Sequence, residues 1–450
     1  MLALDSSRQA LRYDRAMDHA ARDVTTISSP TAVAGPRIAL LGLGTVGTAV
    51  AQRLLDPAWS AAVAARGHRV PRLVGIADLD LERDRGLDIP ADVRQVTDFG
   101  ELLDEQVDVV VELMGGAGVA GDAVLAAFRA GKSVVTANKH LLALRGRELE
   151  DAAREAGVRL RFEAAVMAGV PVLGPLVDQL AASRMSRIRG ILNGTTNHIL
   201  STMASDAREY EDVLAEAQLR GYAEADPSSD VEGLDAAYKL VLLSRLAWGG
   251  WADVDTLRRG NPTLGSDVAV GISAVKRSHL GAAARLGLSI KLVARAERLA
   301  DGSVRGAVTP MAVAAGSPIG SANGVSNIIE LIADPAGRVS MAGPGAGGAA
   351  TSSAILADVL ALSAGAGSSW GQLPPAADLA IEDDLVGPQG WLVVIDGLGA
   401  LGFPESVKPL ALATTDEAFV TQPVTLTELT ARSRLFDLAM TVYPVLVDAS

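Results

Sequence analysis

The sequence predicts an α/β fold: a doubly wound parallel sheet followed by a mixed α+β domain. Two observations carry the prediction. Short apolar runs alternate with helical periodicity over the first third of the chain, and the first run opens onto a glycine-rich turn. A third observation concerns size. With 450 residues, 49% hydrophobic and 21% charged, the chain is globular and too long for one small core.

The elements follow in order. Pro36-Arg-Ile-Ala-Leu-Leu-Gly42 reads as a buried strand, and Val46 to Leu55 as a helix. A polar stretch, residues 56–69, precedes a second strand at Arg72–Asp78. Val107–Leu113 and Ser133–Thr136 read as the third and fourth strands, with helical periodicity between them from Asp122 to Ala130. The pattern then changes. Val158–Glu163, Arg187–Leu192, Ile290–Glu297 and Gly302–Val308 read as strands of a second domain, with helices at Leu234–Leu246 and Ser278–Leu286. Thr351–Leu362 is a helix with an apolar face, and a Gly/Ser/Pro-rich linker follows it. Residues 1–35 interleave four arginines with four aspartates. They lack an apolar signal core and the acid-poor character of a transit peptide, so they read as a disordered extension of a cytoplasmic protein.

Gly42-Leu-Gly44-Thr45-Val46-Gly47 lies between a strand and a helix, the context in which G-x-G-x-x-G binds a dinucleotide. The glycines allow a tight turn and close backbone approach to a pyrophosphate, which then faces a helix N-terminus. The competing reading is a plain glycine turn. Asp78 ends the second strand, where a carboxylate reads the ribose hydroxyls. It leans toward NAD, while Arg83 and Arg85 stand close enough in sequence to admit NADP; a solvated turn residue is the alternative.

The formal net charge of -13 disfavours nucleic acid and anionic membranes as partners. No apolar run reaches the ~18 residues of a membrane span. The absence of cysteine excludes disulfides, thiolate metal sites and thioester chemistry. The five histidines show no metal-ligand spacing, and no Tyr-x-x-x-Lys pair occurs. A nicotinamide enzyme must still manage a proton. Lysine and carboxylate chemistry remains, with Lys139 and Lys239 as candidates. Asp235 and Lys239 are four apart on one helix face, the usual spacing of a surface ion pair. Here they follow a dense acidic segment containing Glu224, Asp226 and Asp230, and precede an apolar helix. Clustered carboxylates beside one lysine suit an ammonium ligand next to a proton donor.

These residues resemble homoserine dehydrogenase. The resemblance runs from about Arg37 to Leu362 through ordered motifs: Gly42–Gly47, Val111-Glu-Leu-Met-Gly-Gly116, Gly131–Lys139, Glu163-Ala-Ala-Val-Met-Ala-Gly-Val-Pro171, Gly190-Ile-Leu-Asn-Gly-Thr-Thr-Asn197, Gly221–Lys239 and Gly343-Pro-Gly-Ala-Gly-Gly-Ala-Ala-Thr351. It implies reversible interconversion of L-aspartate 4-semialdehyde and L-homoserine with NAD(P)H, on the route to threonine and methionine, by a homodimer. It also implies a Rossmann-type NAD(P)-binding domain made of residues 36–152 with 343–366, because the last helix returns to it. Residues 153–342 would form the catalytic and dimerisation domain. Carried over by position, Lys239 is the proton donor and acceptor. Asp235 and Lys139 complete the catalytic set, and Lys139 also meets the cofactor. Glu224, Asp230 and Thr195 bind the substrate. Gly42, Gly44, Thr45, Val46, Gly47, Asp78 and Gly347 bind NAD(P). Glu163 with the carbonyls of Val166, Ala168 and Val170 resembles a sodium site, an oxygen-only set suited to a hard cation. Met167 departs from the small residue usual there. Residues 367–450 are expected to be a linker and a divergent tail, with a disguised ACT domain as the alternative: strand-like segments occur at Trp391–Ile395 and Ala439–Tyr443, but the Asp-Arg-Pro-Gly turn sought for a threonine-sensing ACT domain is missing. The competing readings are an idle nucleotide-binding protein and a reductase of a different amino-acid semialdehyde.

Overall fold

A strand whose two faces are both covered by helices must be apolar throughout, and Ile38, Ala39, Leu40 and Leu41 are each fully buried. They form β1 (Arg37–Leu41), the centre of a parallel sheet. Its other strands are β2 (Arg72–Ala77), β3 (Arg94–Val96), β4 (Val109–Glu112), β5 (Ser133–Thr136) and β6 (Leu160–Arg161). The order is β3-β2-β1-β4-β5-β6 and every pairing is parallel. The chain winds outward from β1 to β3, then restarts at β4. The crevice at the carboxyl ends of β1 and β4 is where such sheets take ligands. This computed structural model describes residues 35–261, 270–395, 411–415, 417–433 and 440–446. The expectation for residues 1–34 lies outside the described residues.

Helices α1 (Thr45–Leu55), α2 (Val119–Arg129) and α3 (Lys139–Glu155) connect these strands. The polar stretch after α1 contains a further short helix, Pro57–Ala65. Its proline stands at the first turn, and the Asp56 carboxylate caps it by accepting from Ala58 N at 2.8 Å.

One strand changes sheets relative to expectation. Val158–Glu163 reads as part of the second domain, but Leu160–Arg161 pairs in parallel with Val134–Val135 as the last strand of the first sheet. The boundary expected at residue 152 therefore moves past β6. A two-residue edge strand flanked by Arg159 and Glu163 carries the polar alternation of an antiparallel strand, which hides its place in the sequence.

The second sheet holds β7 (Arg184–Ile191), β8 (Leu288–Arg298), β9 (Val304–Ala314), β10 (Ser326–Asp334) and β11 (Gly337–Pro344). Their order is β11-β10-β7-β8-β9, all antiparallel. Helices α4 (Gly194–Asp206), α5 (Leu234–Trp248) and α6 (Arg277–Arg285) accompany it. Every residue of α5 from Asp235 to Leu246 is buried. A helix buried all round encloses its charged residues along with its apolar ones. The chain then returns through α7 (Gly348–Ser363), whose Ala354, Ile355 and Val359 share a core with Ile38 and Leu40 of the first sheet and Val50 of α1.

The described residues of the tail are folded. Strands β12 (Trp391–Ile395), β13 (Ala411–Thr414), β14 (Ala418–Thr421) and β15 (Met440–Leu446), with helix α8 (Leu426–Ser433), form an antiparallel sheet in the order β15-β12-β14-β13. In chain order these strands lie 4-1-3-2, with α8 between the third and fourth, which is the strand order of a ferredoxin-like sheet. β15 also pairs with β9, Ala312 to Val445 and Val313 to Leu446, so the two sheets are continuous.

Candidate active site

Three chain reversals converge on one place. β7 ends at Ile191 and α4 begins at Asn193, whose carboxamide oxygen caps it by accepting from Thr196 N at 2.8 Å. α5 begins after Gly233, which adopts φ +80°. α3 begins at Lys139, capped by Asn138, whose oxygen accepts from Leu141 N at 3.1 Å.

At the junction lies Asp235, 5% exposed in the first turn of α5. Its Oδ2 accepts from Lys239 Nζ at 2.7 Å and from Asn193 Nδ2 at 2.9 Å, and its Oδ1 lies 3.2 Å from Lys139 Nζ. Lys239, 6% exposed, also donates to the Leu192 carbonyl at 2.6 Å. Asn193 reaches Asp230 Oδ1 at 2.7 Å, joining both carboxylates. The pair, whose spacing is also the usual one of a surface ion pair, is buried.

The electrostatics follow from these contacts. Burial raises the Asp230 carboxyl above the usual carboxylate range, and the neighbouring Asp235 charge adds to this. Burial pushes Asp235 the same way, but Lys239, Lys139 and Asn193 outweigh it and hold the carboxyl far below that range. The Asp235 charge holds Lys139 protonated above the ordinary lysine value. Burial lowers Lys239, with Asp235 opposing and Lys139 assisting. The cluster therefore contains a carboxylate held ionised, a lysine held protonated and a second lysine that holds its proton less tightly than an ordinary one.

A cavity of about 600 Å3 opens onto these groups. Lys139, Thr195, Glu224, Asp230, Asp235 and Lys239 line it, together with Val46, Gly347, Val166 and Ala168. Thr195 Oγ1 donates to the Tyr222 carbonyl at 2.9 Å, bringing the segment that carries Glu224 against α4. Glu224 itself is exposed at the cavity wall. The remaining glycine-loop residues stand beside the cavity rather than in its wall. Gly42 leaves β1 at φ +94°. A Cβ on Gly47 would lie 2.1 Å from the Gly42 carbonyl oxygen, so only glycine lets α1 start this close to β1, while Gly44 faces open space. Thr45 opens α1 and packs against Gly348 at the start of α7.

Asp78 stands at the end of β2 and braces the loop. Its Oδ2 accepts from Leu43 N at 2.6 Å, and its Oδ1 pairs with Arg85 Nη2 at 2.9 Å. Glu163 lies behind the cavity wall. Its carboxylate accepts from Val172 N at 2.7 Å, Leu173 N at 2.8 Å and Gly174 N at 3.0 Å. Ala168 adopts φ +44°, ψ -99°, a strained backbone for a residue with a side chain. Val170 packs against Gly343.

Sequence reasoning missed a second layer. Glu112, fully buried at the end of β4, accepts from Met114 N at 2.8 Å, Gly115 N at 3.3 Å and Thr136 Oγ1 at 2.6 Å. Burial raises its carboxyl, and these bonds oppose the rise. Asn138 Nδ2 bridges it to the Gly116 carbonyl at 2.7 Å. Glu112 and Asn138 thereby fix the turn and the helix start that present Lys139. An acid ending an otherwise apolar strand run was the available signal.

The sequence matches the family model "Homoserine dehydrogenase, NAD binding domain" over residues 42–163 and the model "Homoserine dehydrogenase" over residues 171–360. The chain belongs to the homoserine dehydrogenase family. The homoserine dehydrogenase of Corynebacterium glutamicum is 40% identical over 327 residues, 72% of this chain and 71% of the relative. That of Bacillus subtilis is 37% identical over 331 residues, 72% of each chain. Among solved structures, a homoserine dehydrogenase from Thiobacillus denitrificans matches with a TM-score of 0.79 at 30% identity, covering 92% of this chain and 98% of that one. A hyperthermophilic archaeal homoserine dehydrogenase in complex with NADPH matches with a TM-score of 0.58 at 25% identity, covering 73% and 97%. Homoserine dehydrogenases are oxidoreductases that interconvert L-homoserine and L-aspartate 4-semialdehyde with NAD(P), within threonine and methionine biosynthesis. The boundary between the two matched models, residues 163–171, falls just after β6. Among the described residues, no helix is long and apolar enough to cross a membrane.

Proposed function

We propose that this chain, as a homoserine dehydrogenase, reduces aspartate semialdehyde and oxidises homoserine in the cavity around Asp235, with Lys239 moving the proton. The observation that supports this most directly is the buried Lys239–Asp235–Lys139 cluster in the wall of the same cavity as Gly347 and Val46. When bound, NAD(P)H supplies the hydride. Lys239 then donates a proton to the carbonyl oxygen, or takes the hydroxyl proton in the reverse direction. Lys139, held cationic, stabilises negative charge developing on that oxygen and keeps Lys239 inclined to give up its proton. Glu224 takes the substrate ammonium at the exposed wall, Asp230 backs it, and Thr195 at the start of α4 meets the substrate carboxylate. The glycine loop Gly42–Gly47 and Gly347 hold the cofactor.

Asp78 paired with Arg85 forms a ribose site that accepts both NAD and NADP, because the guanidinium offsets the repulsion a lone carboxylate would exert on a 2′-phosphate. Glu163 with the carbonyls of Val166, Ala168 and Val170 fits a sodium ion. The three N–H bonds to the carboxylate leave about one of its four lone-pair positions free, and the Ala168 strain turns its carbonyl away from the helical path. Such an ion would order the cavity wall. We also propose a cytoplasmic homodimer, with residues 36–163 and 343–366 binding the cofactor and residues 164–342 carrying catalysis and dimerisation.

The test is steady-state turnover of homoserine with NAD and NADP, with and without sodium. Lys239→Ala should lower kcat by about 10²–10⁴-fold, the usual worth of a positioned proton carrier, while binding NAD(P)H as the parent does. A Lys239→Ala enzyme that retained its turnover would remove Lys239 from the mechanism.

A further inference from the structure

Asn327 is fully buried at the start of β10, yet neither its Nδ2 nor its Oδ1 has a hydrogen-bond partner. Burying a carboxamide without partners costs folding free energy, and a leucine of the same size would avoid the cost. Its surroundings are polar and well used. Asn197 donates to the Ser326 carbonyl at 3.0 Å and accepts from Lys291 Nζ at 3.0 Å. The backbone just before Asn327 is therefore pinned, and its carboxamide alone is left without an acceptor or donor.

What lies against that carboxamide is the wall of the active cavity. β10 is flanked by β7 and β11. Past its end β7 runs into Gly194, and β11 runs into Gly345; both glycines line the cavity. A Cβ on Gly345 would lie 2.0 Å from Asn327 Nδ2 and 2.7 Å from Oδ1, and a Cβ on Gly194 would lie 3.4 Å from Oδ1. The glycines expose backbone, which can accept and donate, to a side chain that needs both. Gly345 opens the Gly345-Ala346-Gly347 segment, which precedes α7 and lines the same cavity as Lys139.

We propose that Asn327 is a positioning residue for the dehydrogenase reaction: with NAD(P) bound, its carboxamide hydrogen-bonds the backbone of Gly345–Gly347 and holds that segment against the nicotinamide. The inference rests on reading this cavity as the reaction site. A small shift of Gly345 converts its packing against Asn327 into hydrogen bonding, which gives the unpartnered carboxamide a partner.

Asn327→Leu tests this, with Asn327→Ala in reserve should the leucine not fit. The leucine variant should unfold at the same or a higher temperature than the parent in the absence of cofactor. Its kcat/KM for NAD(P) in homoserine oxidation should fall about three- to tenfold, one neutral hydrogen bond's worth. Hydrogen exchange at the Gly345, Ala346 and Gly347 amides should slow on adding NADP in the parent but not in the variant. Turnover within twofold of the parent, or unchanged cofactor protection of the segment, would overturn the proposal, as would a loss of thermal stability with kinetics intact. Lys239→Ala assayed alongside separates the two claims: if it keeps its turnover the cavity is misread, whereas its loss beside a fully active Asn327→Leu removes only Asn327.

Discussion

At Lys239, burial and charge pull in opposite directions, and burial prevails. With Lys239 as the proposed proton carrier, homoserine oxidation requires its neutral amine. Its kcat/KM should therefore rise with pH through an apparent pKa below the ordinary lysine value of 10.5, and reduction should fall through the same value. The Asp235 charge opposes the lowering, so Asp235→Asn should move both profiles to lower pH. Profiles that stay put or move up would show that Asp235 does not set this proton. Lys291 offers a second test. Its Nζ is buried among the neutral oxygens of Asn197, Ser201, Ala322 and Asn323 at 2.7–3.2 Å, and burial brings its pKa down to about 8. Above pH 8 the folded chain sheds this proton while the unfolded chain keeps it. Stability therefore rises with pH toward the unfolded value of about 10.4. In urea titrations the advantage of the parent over Lys291→Met should be larger at pH 9.5 than at pH 7.5; an equal or smaller advantage contradicts the assigned burial. The sequence made Lys239 and Asp235 legible through their four-residue spacing. It could not show that they are buried, because that follows from α5 being enclosed on every side. Asn327 had no sequence signal, since a missing hydrogen bond exists only in three dimensions.

The glycine loop and its brace can be tested as elements. Gly47→Ala would drive a methyl into the Gly42 carbonyl oxygen, 2.1 Å from where the Cβ must sit. α1 would have to withdraw from β1, and NAD(P) binding should weaken by more than tenfold, read by titration of nicotinamide fluorescence. Near-parental binding would mean that the loop approaches no pyrophosphate. Arg85 ties the same loop to Asp78 through Leu43 O at 2.7 Å and the Asp78 carboxylate at 2.9 Å. Arg85→Gln leaves Asp78 uncompensated, so the ratio of KM for NADP to KM for NAD should rise several-fold, whatever the change in either alone. An unchanged ratio would detach Arg85 from cofactor choice. Strand, glycine turn and helix were legible here because three local signals agree over a dozen residues. β6 was not. Its segment alternates like an antiparallel strand, and its membership of the first sheet is set by the reach of α3 back across the sheet.

On the scale of the whole molecule, the tail is the element that sequence described least and packing uses most. Its strands are short, and its apolar residues fall into two groups. Trp391, Val393, Phe419 and Val442 form a core of their own, while Ile381, Leu392, Val394, Ala418 and Tyr443 join the main core of the chain. Charge follows the same seam: Asp383 pairs with Arg258, Asp384 with the largely buried Arg295, and Glu417 with Arg285. A tail sharing a core and ion pairs in this way cannot be removed as a linker could. Deleting residues 381–450 would strip β9 of its β15 partner and expose the apolar face beneath it. It would also leave Arg295 without Asp384, and breaking a buried pair on one side costs about 3–5 kcal/mol. The deletion variant should therefore unfold at lower urea concentration than the full chain. Among the described residues, none beyond Thr351 lines the candidate active cavity. Whatever fraction of the variant stays folded should accordingly turn over homoserine with a KM close to that of the full chain. Equal stability would show the tail to be an independent attachment, and a changed KM in the folded fraction would show that the continuous sheet transmits the tail's packing to the site.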